Sequence, residues 1–267
     1  MPRSSTEVPL HAAHGDNAPA GESTRSLVLW DIHQTLVNAG GVSEEVYADA
    51  FRRAVGRPME RLAELAGRTD RAITVETLRM HDIEVSAELL DAFGVALADT
   101  FVSYEEALRR RGRTLPGARE ALQALFARKE IVQSVLTGNM EPIAVGKLAA
   151  FGLDHFMDFE VGGFGTDHEA RPPLVLLAQA RAARKYGQAF TAANTVLVGD
   201  TPDDVLAGHL GGARVVAVAT GPTGPAALRV AGADLVLEDL ADTGVVVEAI
   251  LAASRPCPGS STPDGME

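Results

Sequence analysis

Four short apolar runs punctuate the chain, each closing on a polar residue: 26–31 (SLVLWD), 131–137 (IVQSVLT), 195–200 (TVLVGD) and 214–220 (RVVAVAT). Unbroken apolar runs of this length, rich in Val and Leu, suit strands buried on both faces of a parallel sheet. Segments 234–237 and 157–161 are weaker strand candidates. Between the runs lie stretches of helical length at 142–151, 173–185, 203–210, 225–230 and 243–253. Strand alternating with helix after residue 130 predicts βαβ units and an α/β, doubly wound parallel sheet.

Between the first and second runs the pattern changes, and no convincing strand occurs. Val46, Tyr47, Ala50, Phe51 and Ala54 recur at helical spacing, with Ser43 as a candidate N-cap and Glu44 and Glu45 in the favourable first turn. Leu89, Leu90, Phe93, Leu97, Phe101, Tyr104 and Leu108 continue the pattern over a long helix capped by Ser86. Shorter helical pieces are expected around 60–66 and 75–81, and Pro116-Gly117 restarts the chain toward the second strand. The predicted organisation is a core built from 26–36 and 117–253, with an α-helical cap inserted over 37–116. Residues 1–25 and 254–267, rich in small and polar residues, read as disordered tails.

Composition narrows the function classes. Apolar residues make up 46% and charged residues 22%, a globular balance, and the formal net charge is −12. So acidic a chain carries no overall electrostatic footprint for nucleic acid or an anionic membrane. No apolar run is long enough for a transmembrane helix, and the first residues lack the apolar stretch of a secretory leader. Cys257 is the only cysteine, so no disulfide or cysteine-based zinc site forms within one chain. These features together predict a cytoplasmic protein. His11 and His14 resemble a metal pair by spacing alone.

In an open parallel sheet, ligands bind beyond the carboxyl ends of the strands. Three of the runs end there in residues suited to phosphate or metal chemistry: Asp31, Thr137 and Asp200. Asp204 follows Asp200 by one helical turn and can face the same crevice. A strand-end Asp can instead cap the next turn, and a Thr can satisfy a loop amide. Clustered together, carboxylates with no balancing lysine call for a cation, and oxygen-only ligation favours Mg²⁺.

The ordered signatures Asp31-Ile32-His33-Gln34-Thr35, Thr137-Gly138-Asn139, a basic residue before a later helix, and Gly199-Asp200-Thr201-Pro202-Asp203-Asp204 resemble the haloacid dehalogenase-like (HAD) superfamily. The resemblance covers about 26 to 253. It is specifically to the phosphoglycolate phosphatase-like branch, whose Rossmann-like core carries a helical cap after the first strand. It implies a phosphatase in which Asp31 attacks phosphorus to form an aspartyl phosphate. Mg²⁺ would sit between Asp31, the His33 main-chain carbonyl and Asp200, supported by Asp204. Thr137 and the amides of Gly138 and Asn139 would bind phosphate oxygens. Arg171 best fills the basic position, with Lys147 as runner-up, and Asp203 reads as a helix-entry residue. The expected partner is a small phosphorylated metabolite.

One departure matters. The family's phosphatases usually read Asp-x-Asp-Gly-Thr, and here His33 stands at the second Asp, which normally protonates the leaving oxygen. Imidazole can also shuttle protons, so His33 is a candidate catalytic residue. The alternative is a catalytically impaired relative that binds a phosphorylated ligand or a protein partner. Phosphonate cleavage through a cap lysine is disfavoured, since 37–130 contains no Lys before Lys129. Dehalogenation needs no metal and does not call for Asp200 and Asp204. In the cap, Gly67-Arg68-Thr69-Asp70-Arg71 is the most site-like stretch, with Arg68 or Arg71 as contacts for an anionic substrate. His81, His155 and His209 read as packing or surface residues, and His168 lies near the site rim with no role.

Overall fold

The computed structural model describes residues 24–254 of the 267. The chain order is β1 (Ser26–Trp30), β2 (Val37–Asn38), α1 (Val42–Val55), α2 (Asp70–Met80), α3 (Ala87–Arg111), β3 (Arg113–Thr114), α4 (Ala118–Phe126) and β4 (Ile131–Val135). There follow α5 (Glu141–Ala149), α6 (Pro172–Tyr186), β5 (Thr195–Gly199), α7 (Pro202–Gly211), β6 (Arg214–Val218), α8 (Pro225–Val230), β7 (Leu235–Leu237) and α9 (Thr243–Ala253). The main sheet has the order β4-β1-β5-β6-β7, parallel throughout. Side chains of β1 divide between two core layers, Val28 and Trp30 on one side, Leu27 and Leu29 on the other. That division is why the run is continuously apolar: both faces are covered by helices.

The order places β1 between β4 and β5. The residues that leave these three strands, Thr137, Asp31 and Asp200, therefore emerge side by side at one edge of the sheet. The second hydrophobic cluster belongs to α1, α2 and α3, where Tyr47, Phe51, Phe93, Leu97 and Phe101 pack together. Phe51 and Phe93 meet edge to face at 6.4 Å.

Several expectations need correction. The stretch between the first two sheet strands does contain strand: β2 pairs antiparallel with β3, tying the two crossings between core and helical insert. Segment 157–161 is no strand. Phe159–Val161 forms a 3-10 turn, capped by the Asp158 side chain accepting from the Glu160 amide at 3.2 Å. Residues 60–66 are irregular. Their amides find side chains instead of a helix, with those of Glu60 and Arg61 donating to His81 Nε2 and that of Ala63 to Thr77 Oγ1. Ser43 is not the N-cap of α1; Gly41 holds that place at φ 80°, and Ser43 lies inside the first turn. Ser86 does cap α3, accepting from the Leu89 amide at 3.1 Å. Arg25, assigned to a tail, pairs its main chain with Gln188, and Ser254 closes α9. The remaining tail assignments, with His11, His14 and Cys257, lie outside the described residues.

Candidate active site

Asp31, Asp200 and Asp204 present carboxylate oxygens that all lie within 4.8 Å of one another, and all three residues are buried. Among the described residues this is the one such gathering of possible metal-binding side chains. Arg171, at the head of α6, donates to Asp31 Oδ1 at 3.0 Å and also pairs with Asp204 Oδ1. A third bond from the same nitrogen reaches the Leu136 carbonyl at 3.3 Å. Thr35 Oγ1 donates to Asp200 Oδ1 at 3.0 Å. Asp204 is held by a capping box: its Oδ2 accepts from the Thr201 amide and hydroxyl, and its own amide donates back to Thr201 Oγ1. That box leaves Oδ1 facing Arg171 and the cluster. Gly221 closes the other side, where a Cβ would lie 1.9 Å from Asp200 Oδ2.

Three clustered carboxylates share one guanidinium, which bonds to Asp31 and Asp204, so negative charge is in excess. Burial pushes the Asp31 carboxyl up to about 7, and Asp204 adds to the rise while Arg171 opposes it. Burial likewise pushes Asp200 up to about 8, with Asp31 and Asp204 adding to it. A hard divalent cation relieves this repulsion, and an all-oxygen donor set fits Mg²⁺. The residues present therefore fit the metal that the motif implies.

Thr137 is buried, and its hydroxyl accepts from the Asn139 amide at 3.2 Å. That amide is engaged inside the loop. The Asn139 side chain bridges two groups, donating to Asp70 Oδ1 at 3.1 Å and accepting from Lys147 Nζ at 2.9 Å. Lys147 is buried in the wall of the same cavity, so both candidates for the basic position are at the site. Arg171 alone touches Asp31. His33 lines the cavity too; burial, with Lys147 nearby, pulls its pKa down to about 4. Its imidazole is neutral at pH 7.

The cap reaches the core through the N-terminus of α2. The Asp70 amide donates to the Gly138 carbonyl at 2.7 Å, and Asp70 Oδ2 accepts from the Met140 amide at 2.7 Å. Tyr47 OH donates to Asp70 Oδ1 at 2.7 Å, and Thr69 Oγ1 donates to the Glu169 carbonyl at 2.8 Å. The contact is close enough that a Cβ on Gly138 would sit 1.9 Å from the Arg68 carbonyl. The stretch 67–71 is therefore at the site, through Asp70 and through Arg68, which lines the cavity; Arg71 does not line it. Arg68 pairs with Glu76 at 3.0 Å, and exposed Arg71 lies 3.9 Å from Glu169. Asp203 stands outside the carboxylate cluster, against Gly67. His81 is a packing residue, and His168 is an exposed residue bound to the Ala170 amide. The helical spacing of Tyr47 marked it only as a core position, and Thr35 stood in a motif with no assigned role.

Comparison with known proteins decides the family. The model of the haloacid dehalogenase-like hydrolases matches residues 28–209. The chain belongs to this family. A phosphoglycolate phosphatase from Haemophilus influenzae is 32% identical over 142 residues, 52% of this chain and 59% of that relative. The chain thus spans less than two thirds of that protein's length. Among solved structures, a hydrolase from Pseudomonas syringae superposes with a TM-score of 0.62 at 21% identity, covering 85% of this chain and 99% of the other. A predicted phosphoglycolate phosphatase from Haemophilus somnus superposes with a TM-score of 0.58 at 20% identity, covering 85% and 100%. At these identities the superpositions establish the HAD fold. No helix among the described residues is long and apolar enough to cross a membrane.

Proposed function

We propose that this HAD-like hydrolase is a Mg²⁺-dependent phosphatase that cleaves a small-molecule phosphate monoester through an aspartyl phosphate on Asp31. One observation carries the reading: the ends of three adjacent parallel strands bring Asp31, Thr137 and Asp200 to one cavity, with Asp204 and Arg171 completing it. Asp31, the His33 main-chain carbonyl, Asp200 and Asp204 would hold Mg²⁺, which would supply positive charge that lets a carboxylate approach an anionic phosphate. Asp31 attacks phosphorus to form the aspartyl phosphate, the ester P–O bond breaks, and the alkoxide leaves with the bonding electrons and takes a proton from water. Arg171 holds a phosphate oxygen and keeps Asp31 oriented; its fork suits two oxygens at once. The Thr137 hydroxyl and the Gly138 amide complete the phosphate cradle. In the second step water attacks phosphorus while neutral His33 takes its proton, the bond from phosphorus to Asp31 breaks to release inorganic phosphate and the carboxylate, and His33 passes the proton to solvent.

The low pKa of His33 favours a second reading, a phosphorylated-ligand binder with little turnover. A histidine that is neutral at pH 7 is a poor proton donor to a leaving alkoxide. Phosphate release from a panel of monoesters, with and without Mg²⁺, separates the two. The phosphatase reading expects metal-dependent release from the parent protein. Release that appears only in His33→Asp supports the binder.

A further inference from the structure

We propose that the alcohol released by the enzyme is compact and largely apolar, carrying at most one hydrogen-bonding group, rather than a sugar, a nucleoside or a hydroxy acid. The inference rests on the phosphatase reading and names its substrate class. The cavity that begins at Asp31 and Thr137 continues under the cap, and its volume is about 170 Å³. A cavity of about 150 Å³ accommodates benzene, and the phosphate takes part of this one, so the space beyond it suits a group no bulkier than that and is tight for a hexose or a nucleoside. Its far wall is built from Val42, Val46, Ile73, Leu97 and Phe101 of the cap and Ile143 of α5.

The polar groups around Asp70 in that half are bonded to one another. Tyr47 OH donates to Asp70, both Asp70 oxygens accept from groups in the wall, and Asn139 is engaged at both ends of its amide. Arg68 is turned to Glu76. Ser43 Oγ is the exception: it is buried, lines the cavity and has no hydrogen-bond partner. A polyol would enter such a chamber with most of its hydroxyls unpaired, at a cost of roughly tenfold or more in kcat/KM for each. A second carboxylate on the substrate would face the Asp70 charge, and the Lys147 ammonium in the same wall is already engaged by Asn139 and by Asp70. An apolar group loses nothing there, and one hydroxyl finds Ser43.

The test compares primary alkyl monoesters whose leaving groups are chemically alike, using the full chain with Mg²⁺. The apolar set is 3-methylbutyl phosphate and benzyl phosphate; the polar set is glycerol 3-phosphate, glucose 6-phosphate and phosphoglycolate. We expect kcat/KM for the apolar esters to be at least about tenfold higher. A polar ester at the top of the ranking overturns the proposal. Val46→Ala should lower kcat/KM for 3-methylbutyl phosphate about fivefold more than for glycerol 3-phosphate; equal losses on both would overturn the assigned contact. If no ester is hydrolysed, the phosphatase reading fails, and calorimetric titration with the same esters reads the pocket directly. Tighter binding of the apolar esters then keeps the assignment, and equal or weaker binding ends it.

Discussion

Asp70 of the cap and Asn139 of the core meet in a 3.1 Å hydrogen bond, and the next residue, Met140, donates its amide to the same carboxylate at 2.7 Å. Through Asn139 the contact reaches Lys147, so the first turn of a cap helix helps order one wall of the candidate site. Asp70→Ala leaves the Tyr47 hydroxyl, the Asn139 amide group and the Met140 N–H without their acceptor. We expect a loss of about 1–3 kcal/mol in urea unfolding and a fall in kcat/KM of about tenfold or more. Asp70→Asn, which keeps one acceptor oxygen, should fall between parent and alanine variant in both measurements.

Gly138 faces the same seam. A methyl group there would lie 1.9 Å from the Arg68 carbonyl. Main chain cannot yield as a side-chain end can, so Gly138→Ala must push the cap away from the core. Activity should fall at least about tenfold, while the change in melting temperature stays modest if cap and core each keep their own packed clusters. Proteolysis at the seam, faster in the variant, reports the opened cap.

Asp31 and Asp200 have folded pKa values raised to about 7 and about 8, well above the ordinary carboxylate range. Their protonated forms therefore favour the metal-free fold. That contribution is complete at pH below about 4 and is lost as the pH climbs through both folded values. Mg²⁺ competes with the protons. The rise in melting temperature on adding Mg²⁺ should be larger at pH 8.5 than at pH 5.5, and calorimetry near pH 7 should detect proton release on binding.

His33 is already neutral at pH 7, its pKa lowered to about 4. It can accept a proton from water but has little to give a leaving group. The parent should hydrolyse aryl esters, whose leaving groups need little protonation, much faster than alkyl esters. His33→Asp should narrow that gap by raising the alkyl rate, by up to about a hundredfold. A plot of log kcat/KM against leaving-group pKa for the two proteins gives the slopes to compare.

The sheet and the carboxylate cluster were readable because a parallel sheet gathers strand ends, whatever separates them in sequence. Asp31, Thr137 and Asp200 close runs that become adjacent strands, and the Thr201 box that aims Asp204 is written locally in Thr201-Pro202-Asp203-Asp204. Most of what escaped depended on contacts between distant segments. Residues 60–66 have helical composition, yet His81 and Thr77 of a later segment take their amides. Ser43 has the chemistry of a cap, but Gly41 supplies the left-handed residue at which the helix begins. Asp70 stood in a stretch where the arginines drew attention because an anionic substrate invites cations. Its role comes from docking against Asn139 and Met140, which no local pattern encodes.

The most direct measurement is phosphate release by Asp31→Asn beside the parent, at saturating Mg²⁺, on an ester the parent hydrolyses. The amide keeps the size of the carboxylate but is a poor nucleophile toward phosphorus. A drop of at least about a thousandfold, with the fold intact by circular dichroism, is the predicted result. Phosphate release by Asp31→Asn within tenfold of the parent would contradict Asp31 as the group that receives the phosphoryl.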